Sequence, residues 1–160
     1  MLLFGTQDKE FPRLLLEVER LIEIGKIKDK VIAQIGYTKF ETKLPKSQIQ
    51  LIDFTTPAEI QKLIKDSEFI ITHGGVATII EGINNAKKVI AVPRLKKYKE
   101  HVNDHQLQII ENFDTKGYII GTSGVEEIEE ALDKINGFIP KKYVSNNDVF
   151  IEKLKNAIEK

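Results

Sequence analysis

Two stretches of the chain hold residue types whose spacing suits chemistry. The first is Thr72-His73-Gly74-Gly75, followed by Thr78 and Glu81. Paired glycines let main-chain amides approach a ligand closely. An apolar run before them and a helix-like run after them put those amides at a helix N-terminus, where partial positive charge gathers. This arrangement suits a diphosphate. Thr78 falls within about the first turn and offers a hydroxyl, and Glu81, about a turn later, offers a carboxylate to a ribose diol. The plainer alternative is a tight strand-to-helix turn that holds nothing. His73 reads equally as a buried structural histidine and as a general base.

The second stretch runs Arg94-Leu95-Lys96-Lys97-Tyr98-Lys99-Glu100-His101 and continues through Asn103-Asp104-His105-Gln106. It is either a solvated basic loop or a cationic loop beside an anionic ligand or lipid headgroups. His101 and His105 flank Asp104, but a third and fourth ligand at regular spacing is missing, so no metal is expected. Asp104 and Gln106 suit hydrogen bonding to sugar hydroxyls, and Asp104 serves equally as a helix N-cap.

The elements that must position these residues follow from periodicity. Strands are expected at Met1 to Phe4, Val31 to Ile35, Ile49 to Phe54, Phe69 to Ile71, Val89 to Val92 and Tyr118 to Ile120. Between them lie amphipathic stretches. One carries Phe11, Leu14, Leu15, Val18 and Ile22, with Pro12 in its first turn and Gly25 as its stop. Thr56-Pro57-Ala58-Glu59 fits a capping box opening a second helix. Helices are also expected from Val76 to Asn85 and from Asp104 to Phe113, and Ser123-Gly124-Val125-Glu126 is a second capping box. Strands apolar on both faces, alternating with helices, imply one doubly wound, Rossmann-like parallel sheet. Such sheets bind ligands beyond the carboxyl ends of their strands. Those ends carry Gly5-Thr6-Gln7, Gly36-Tyr37-Thr38, Phe54-Thr55-Thr56, His73-Gly74-Gly75 and Pro93-Arg94.

The bulk properties narrow the function. At 160 residues the chain supports one domain with a real core. Lys plus Arg and Asp plus Glu are both 24, so no broad positive field exists and no nucleic-acid partner is expected. Cysteine is absent, which removes thiol chemistry and zinc knuckles. No apolar run approaches the ~20 residues that span a bilayer. The dinucleotide fingerprint and the Walker lysine motif are both missing, which argues against NAD chemistry and P-loop ATPase chemistry. Residues 1–140 read as the binding domain. Residues 141–160 read as a helical extension carrying Phe150, Ile151, Leu154 and Ile158, which packs on its own domain or docks a partner.

Phe69 to Gln106 resembles the C-terminal donor-binding domain of glycosyltransferase family 28. More closely, the chain resembles the catalytic subunits of bacterial exopolysaccharide and capsule transferases of the PssE type. It is also similar to the catalytic half of the bipartite eukaryotic transferase that acts on dolichol-linked chitobiose. The matching segments are Gly5-Thr6, Gln34-Ile35-Gly36-Tyr37-Thr38, Thr72-His73-Gly74-Gly75, Glu81, and Val92-Pro93-Arg94-Leu95-Lys96-Lys97-Tyr98 through to Asp104-His105-Gln106.

The resemblance implies the C-terminal half of a GT-B fold that binds a UDP-sugar. Gly5, Thr6, Gly74, Gly75 and Thr78 would hold the diphosphate, Glu81 the ribose, and the main chain around Phe54 the uracil. Asp104, His105 and Gln106 would face the sugar. Gly36 and Arg94 would join the donor site, and His73 is the in-chain candidate base. Inversion without metal or cofactor is implied, with the sugar galactose or glucuronic acid, or else GlcNAc. The acceptor would be a lipid-linked saccharide. It would be held by a membrane-anchored acceptor-binding subunit that recruits this cytoplasmic chain to the inner face of the plasma membrane. One departure stands out: the family commonly has His-Glu-Gln after Gly-Thr, and here Gln7-Asp8-Lys9 follow. That departure is the support for the alternative, a non-catalytic partner-binding module that keeps the fold.

Overall fold

The structure is a computed structural model that describes residues 1–143. Its six strands are β1 (Leu2–Leu3), β2 (Val31–Gln34), β3 (Ile49–Ile52), β4 (Phe69–His73), β5 (Lys88–Val92) and β6 (Ile120–Gly121). All pair in parallel, in the order β3-β2-β1-β4-β5-β6. The winding reverses between β1 and β4, which makes that pair the switch point of a doubly wound sheet. The expected α/β architecture is the one observed.

The helices are α1 (Pro12–Glu23), α2 (Pro57–Asp66), α3 (Val76–Asn84), α4 (His105–Thr115) and α5 (Ile128–Ile135). Alternation along the strands explains why the helices form two layers. Ile71, Ile90 and Val92 face a core shared with Leu14, Leu15 and Val18 of α1 and Leu132 and Ile135 of α5. Ile70, Val89 and Ala91 face the other way, against Ile64 of α2, Ile79 and Ile83 of α3, and Ile110 of α4. Each fully buried isoleucine contributes about 2 kcal/mol of transfer free energy, which is why the central strands read as unbroken apolar runs. The β2–β3 connection, residues 35–48, contains no helix. Phe40 and Leu44 from it pack on the α1 side instead.

Local signals act where expected, with some shifts. Thr56 accepts a hydrogen bond from the Glu59 amide at 3.2 Å, and Pro57 opens α2. Gly25, with φ of 75°, follows α1, and the amides of Gly25 and Lys26 turn back onto the Ile22 and Leu21 carbonyls. The second capping box closes one residue later than expected. A single 3-10 turn, Val125–Glu127, brings Glu127 rather than Glu126 back to the Ser123 amide at 2.7 Å. β6 starts at Ile120 rather than Tyr118 because Tyr118 packs edge-on against Phe113 and Tyr143. The expected helix through Phe150, Ile151, Leu154 and Ile158 lies outside the described residues.

Candidate functional site

Five strand-end residues form one continuous line across the carboxyl edge of β3, β2, β1 and β4. Phe54 lies beside Gly36, Gly36 beside Gly5, and Gly5 beside His73, which in turn sits under Gly75. Gly5 has φ of 69°, and a Cβ there would stand 2.8 Å from His73 Cε1; a Cβ on Gly75 would collide with His73 Nε2. The two glycines are therefore required by close approach to the imidazole. Gly36, φ 59°, is in the left-handed region too, and a Cβ there would lie 3.0 Å from the Gly5 carbonyl oxygen.

The His73 ring is buried at the end of β4. Thr72 Oγ1 donates to the Leu3 carbonyl at 2.9 Å and stands 3.4 Å from His73 Nδ1. With the hydroxyl hydrogen committed to Leu3, Nδ1 is assigned as the protonated nitrogen. Nε2 then carries the lone pair on the Gly75 side. Burial, with the nearby Arg94 guanidinium adding to it, lowers the His73 pKa from 6.5 to about 4. The imidazole is neutral at pH 7.

Above it, Gly75 is the N-cap residue of α3, and among the described residues no side chain caps this helix. The amides of its first turn are thus left for another acceptor, in contrast to α2, which Thr56 caps. Thr78, at the third position of α3, is half-buried, and Thr6 is exposed next to Gly5. Phe54 is exposed and meets Tyr37 edge to face, 4.9 Å between ring centres, making an aromatic surface over the ends of β2 and β3. Glu81 is half-buried farther along α3 and takes a hydrogen bond from Gln61 Nε2 of α2.

Other expected residues are placed differently. Gln106 is buried, and its Oε1 accepts from the Gly74 amide at 3.1 Å and the Arg94 amide at 2.9 Å. Gly74 therefore gives its N–H to Gln106, and Gln106 ties β4 to β5. Arg94 is 1% exposed and braces the β1–α1 loop through the Lys9 and Phe4 carbonyls. Its ring-stacked guanidinium faces Phe11 at 5.2 Å, and its Nε has no partner among the described residues. Asp104 precedes α4 without capping it; its Oδ1 accepts instead from the Lys96 amide at 2.8 Å. His105 is exposed, with Nδ1 3.0 Å from Gln108 Oε1.

Three contributors had no role from the sequence. Gln34 donates Nε2 to the Gly5 carbonyl at 3.1 Å and the Asp53 carbonyl at 2.9 Å, lacing β1, β2 and β3. Buried Glu100 accepts from Arg13 Nε at 2.7 Å and from the Leu95 amide at 3.0 Å, clamping the loop after β5 against α1. Arg13 also stacks over Tyr98, 4.4 Å to the ring centre. A polar residue ending an apolar strand was the one signal for Gln34; the Arg13–Glu100 pair spans 87 residues and had none.

A cavity of about 650 Å³ opens at the opposite, amino-terminal edge of the sheet, between Lys26, Lys30, Glu68 and Asn136, and none of the expected site residues lines it. Among the described residues no three His, Asp or Glu side chains gather as a metal cluster, and no helix is long and apolar enough to cross a membrane.

Comparison with known proteins adds to this geometry. Residues 1–160 match the family described as Glycosyltransferase family 28 C-terminal domain. The chain is 29% identical over 102 residues to the UDP-N-acetylglucosamine transferase subunit ALG13 of Candida albicans, covering 64% of this chain and 29% of that protein. The crystal structure of the glycotransferase of kitacinnamycin superposes with a TM-score of 0.56 at 15% identity, over 84% of this chain and 34% of that one. The glycosyltransferase SnogD of Streptomyces nogalater gives 0.54 at 13% identity, over 83% and 34%. At those identities the likeness is one of fold. The chain spans about a third of the length of these relatives.

Proposed function

Because this chain belongs to the glycosyltransferase family 28 C-terminal domain family, we propose that it is the donor-binding, catalytic subunit of a two-component inverting glycosyltransferase that takes its sugar from a UDP-sugar. The observation that carries the reading is the uncapped N-terminus of α3, set at the β1–β4 switch point beside Gly5 and Gly75. The first-turn amides and Gly75 receive the diphosphate, with Gly5, Thr6 and Thr78 around it. Uracil lies along Gly36 and Phe54, and Glu81 takes the ribose. The same helix end stabilises the charge that develops on the departing UDP, with no metal required of the chain's residues.

The donor sugar meets the exposed start of α4 at Asp104 and His105, while Gln106 and Arg94 hold that wall from beneath. Galactose or glucuronic acid is the expected sugar, and the likeness to the Candida UDP-N-acetylglucosamine transferase subunit supports GlcNAc as well. The acceptor is a lipid-linked saccharide of exopolysaccharide or capsule synthesis. A membrane-anchored subunit presents it at the cytoplasmic face, across from the carboxyl edge of this sheet. A base with a pKa of about 4 takes protons weakly at neutral pH. His73 is thus the in-chain candidate for the base, and the acceptor-binding subunit is the other source of one.

Thermal unfolding of the full chain with UDP, UDP-galactose, UDP-glucuronate, UDP-GlcNAc and NAD tests this. A uridine nucleotide at 100 times its dissociation constant should add about 2.7 kcal/mol, and NAD should add nothing. Absence of any response to uridine nucleotides, confirmed by NMR titration, would leave the non-catalytic module as the better reading.

A further inference from the structure

The first turn of α3 grips phosphate by backbone, but the ribose contact rests on one side chain whose direction must be held. Glu81 lies on the α3 face that packs beside α2, and Gln61 of α2 donates from Nε2 to Glu81 Oε1. Gln61 is itself held: Asn85 Nδ2 donates to Gln61 Oε1 at 3.3 Å and to the Glu81 carbonyl at 2.8 Å. The donor order runs one way, from Asn85 to Gln61 to Glu81. It ends on a carboxylate, which accepts only, so its second oxygen stays available to an incoming hydroxyl. Both side chains of the pair are half-buried, where such bonds orient better than in open water.

We propose that Gln61 is a positioning residue for nucleotide recognition. It fixes the Glu81 carboxylate in the rotamer that accepts hydrogen bonds from a ribose diol, and so sets the preference for ribonucleotide over deoxyribonucleotide donors. The proposal rests on the assignment of Glu81 to the ribose. It adds that the neighbouring helix, through one amide, decides how well that carboxylate distinguishes the sugar of the nucleotide. A free Glu81 would sample several rotamers and lose part of its discrimination while the diphosphate contacts remained intact.

The test is calorimetric titration of the full chain with UDP and with 2′-deoxy-UDP. Wild type should bind UDP roughly tenfold more tightly than its deoxy analogue, the size expected for a hydrogen bond to a charged group. Gln61→Leu should cut that ratio at least to about a third, with affinity for 2′-deoxy-UDP, which keeps the 3′-hydroxyl, falling less than that for UDP. Glu81→Ala should abolish the ratio, and adding Gln61→Leu to Glu81→Ala should change nothing more. Asn85→Ala, which removes the first donor, should give a smaller fall in the same direction. If Glu81→Ala abolishes the ratio while Gln61→Leu keeps it, or if Gln61→Leu weakens both nucleotides equally, the positioning role is overturned and the donor site stands. A ratio unaffected by Glu81→Ala would instead overturn the ribose assignment itself.

Discussion

At the scale of single residues, His73 couples the site to acidity. Its pKa is about 4 in the folded chain against 6.5 in a model peptide. Between those values the unfolded chain binds a proton that the folded chain does not, so stability falls as pH drops through this window and is unaffected above it. The full effect is about 3 kcal/mol. Urea unfolding from pH 7 to pH 4 should show that loss for wild type, and His73→Gln should flatten it by the same amount. Gln106 gives a second expectation. The sequence pointed to sugar discrimination, but its Oε1 holds two buried amides. Gln106→Ala should therefore cost about 3 kcal/mol in stability, from two orphaned N–H groups, measured by the same unfolding curves. His73, Gly5 and Gly75 were visible in the sequence because a strand end followed by glycine constrains what can sit there. Gln34, Gln106 and Glu100 act through partners distant along the chain, and nothing in their local spacing announces those partners.

At the scale of elements, α2 and α3 begin differently. α2 is closed by its own side chain, and Thr56→Ala should cost about 1 kcal/mol in thermal or urea unfolding while leaving UDP affinity unchanged. α3 has no such closure and starts where the ligand is expected. The strands were legible because burial on both faces demands apolar residues at every position, and β4 and β5 obey that rule through Ile70, Ile71, Val89 and Ile90. Boundaries were less legible where packing decides them. Tyr118 leaves β6 for an aromatic cluster, and the 3-10 turn before α5 moves the capping carboxylate from Glu126 to Glu127. Asp104 looked like a cap and instead binds the Lys96 amide, because the loop after β5 folds back over the start of α4.

At the scale of the whole molecule, one sheet with its row of strand-end residues on the carboxyl edge would supply one wall of the proposed cleft. Co-expression with a membrane-anchored acceptor-binding subunit should be required for sugar transfer to a lipid-linked acceptor, while the isolated chain should bind UDP without turnover; radiolabelled transfer by the chain alone would refute the two-part arrangement. The architecture was readable from alternation of apolar runs and helices. The lacing of the carboxyl edge has a further consequence. Gln34 spans three strand ends, Thr72 a neighbouring pair and Gln106 the next. A receptor whose margin is already cross-tied has few internal motions left to quench when a nucleotide arrives, so capture should resemble a key meeting a rigid lock, with selectivity arising from contour rather than from folding around the guest.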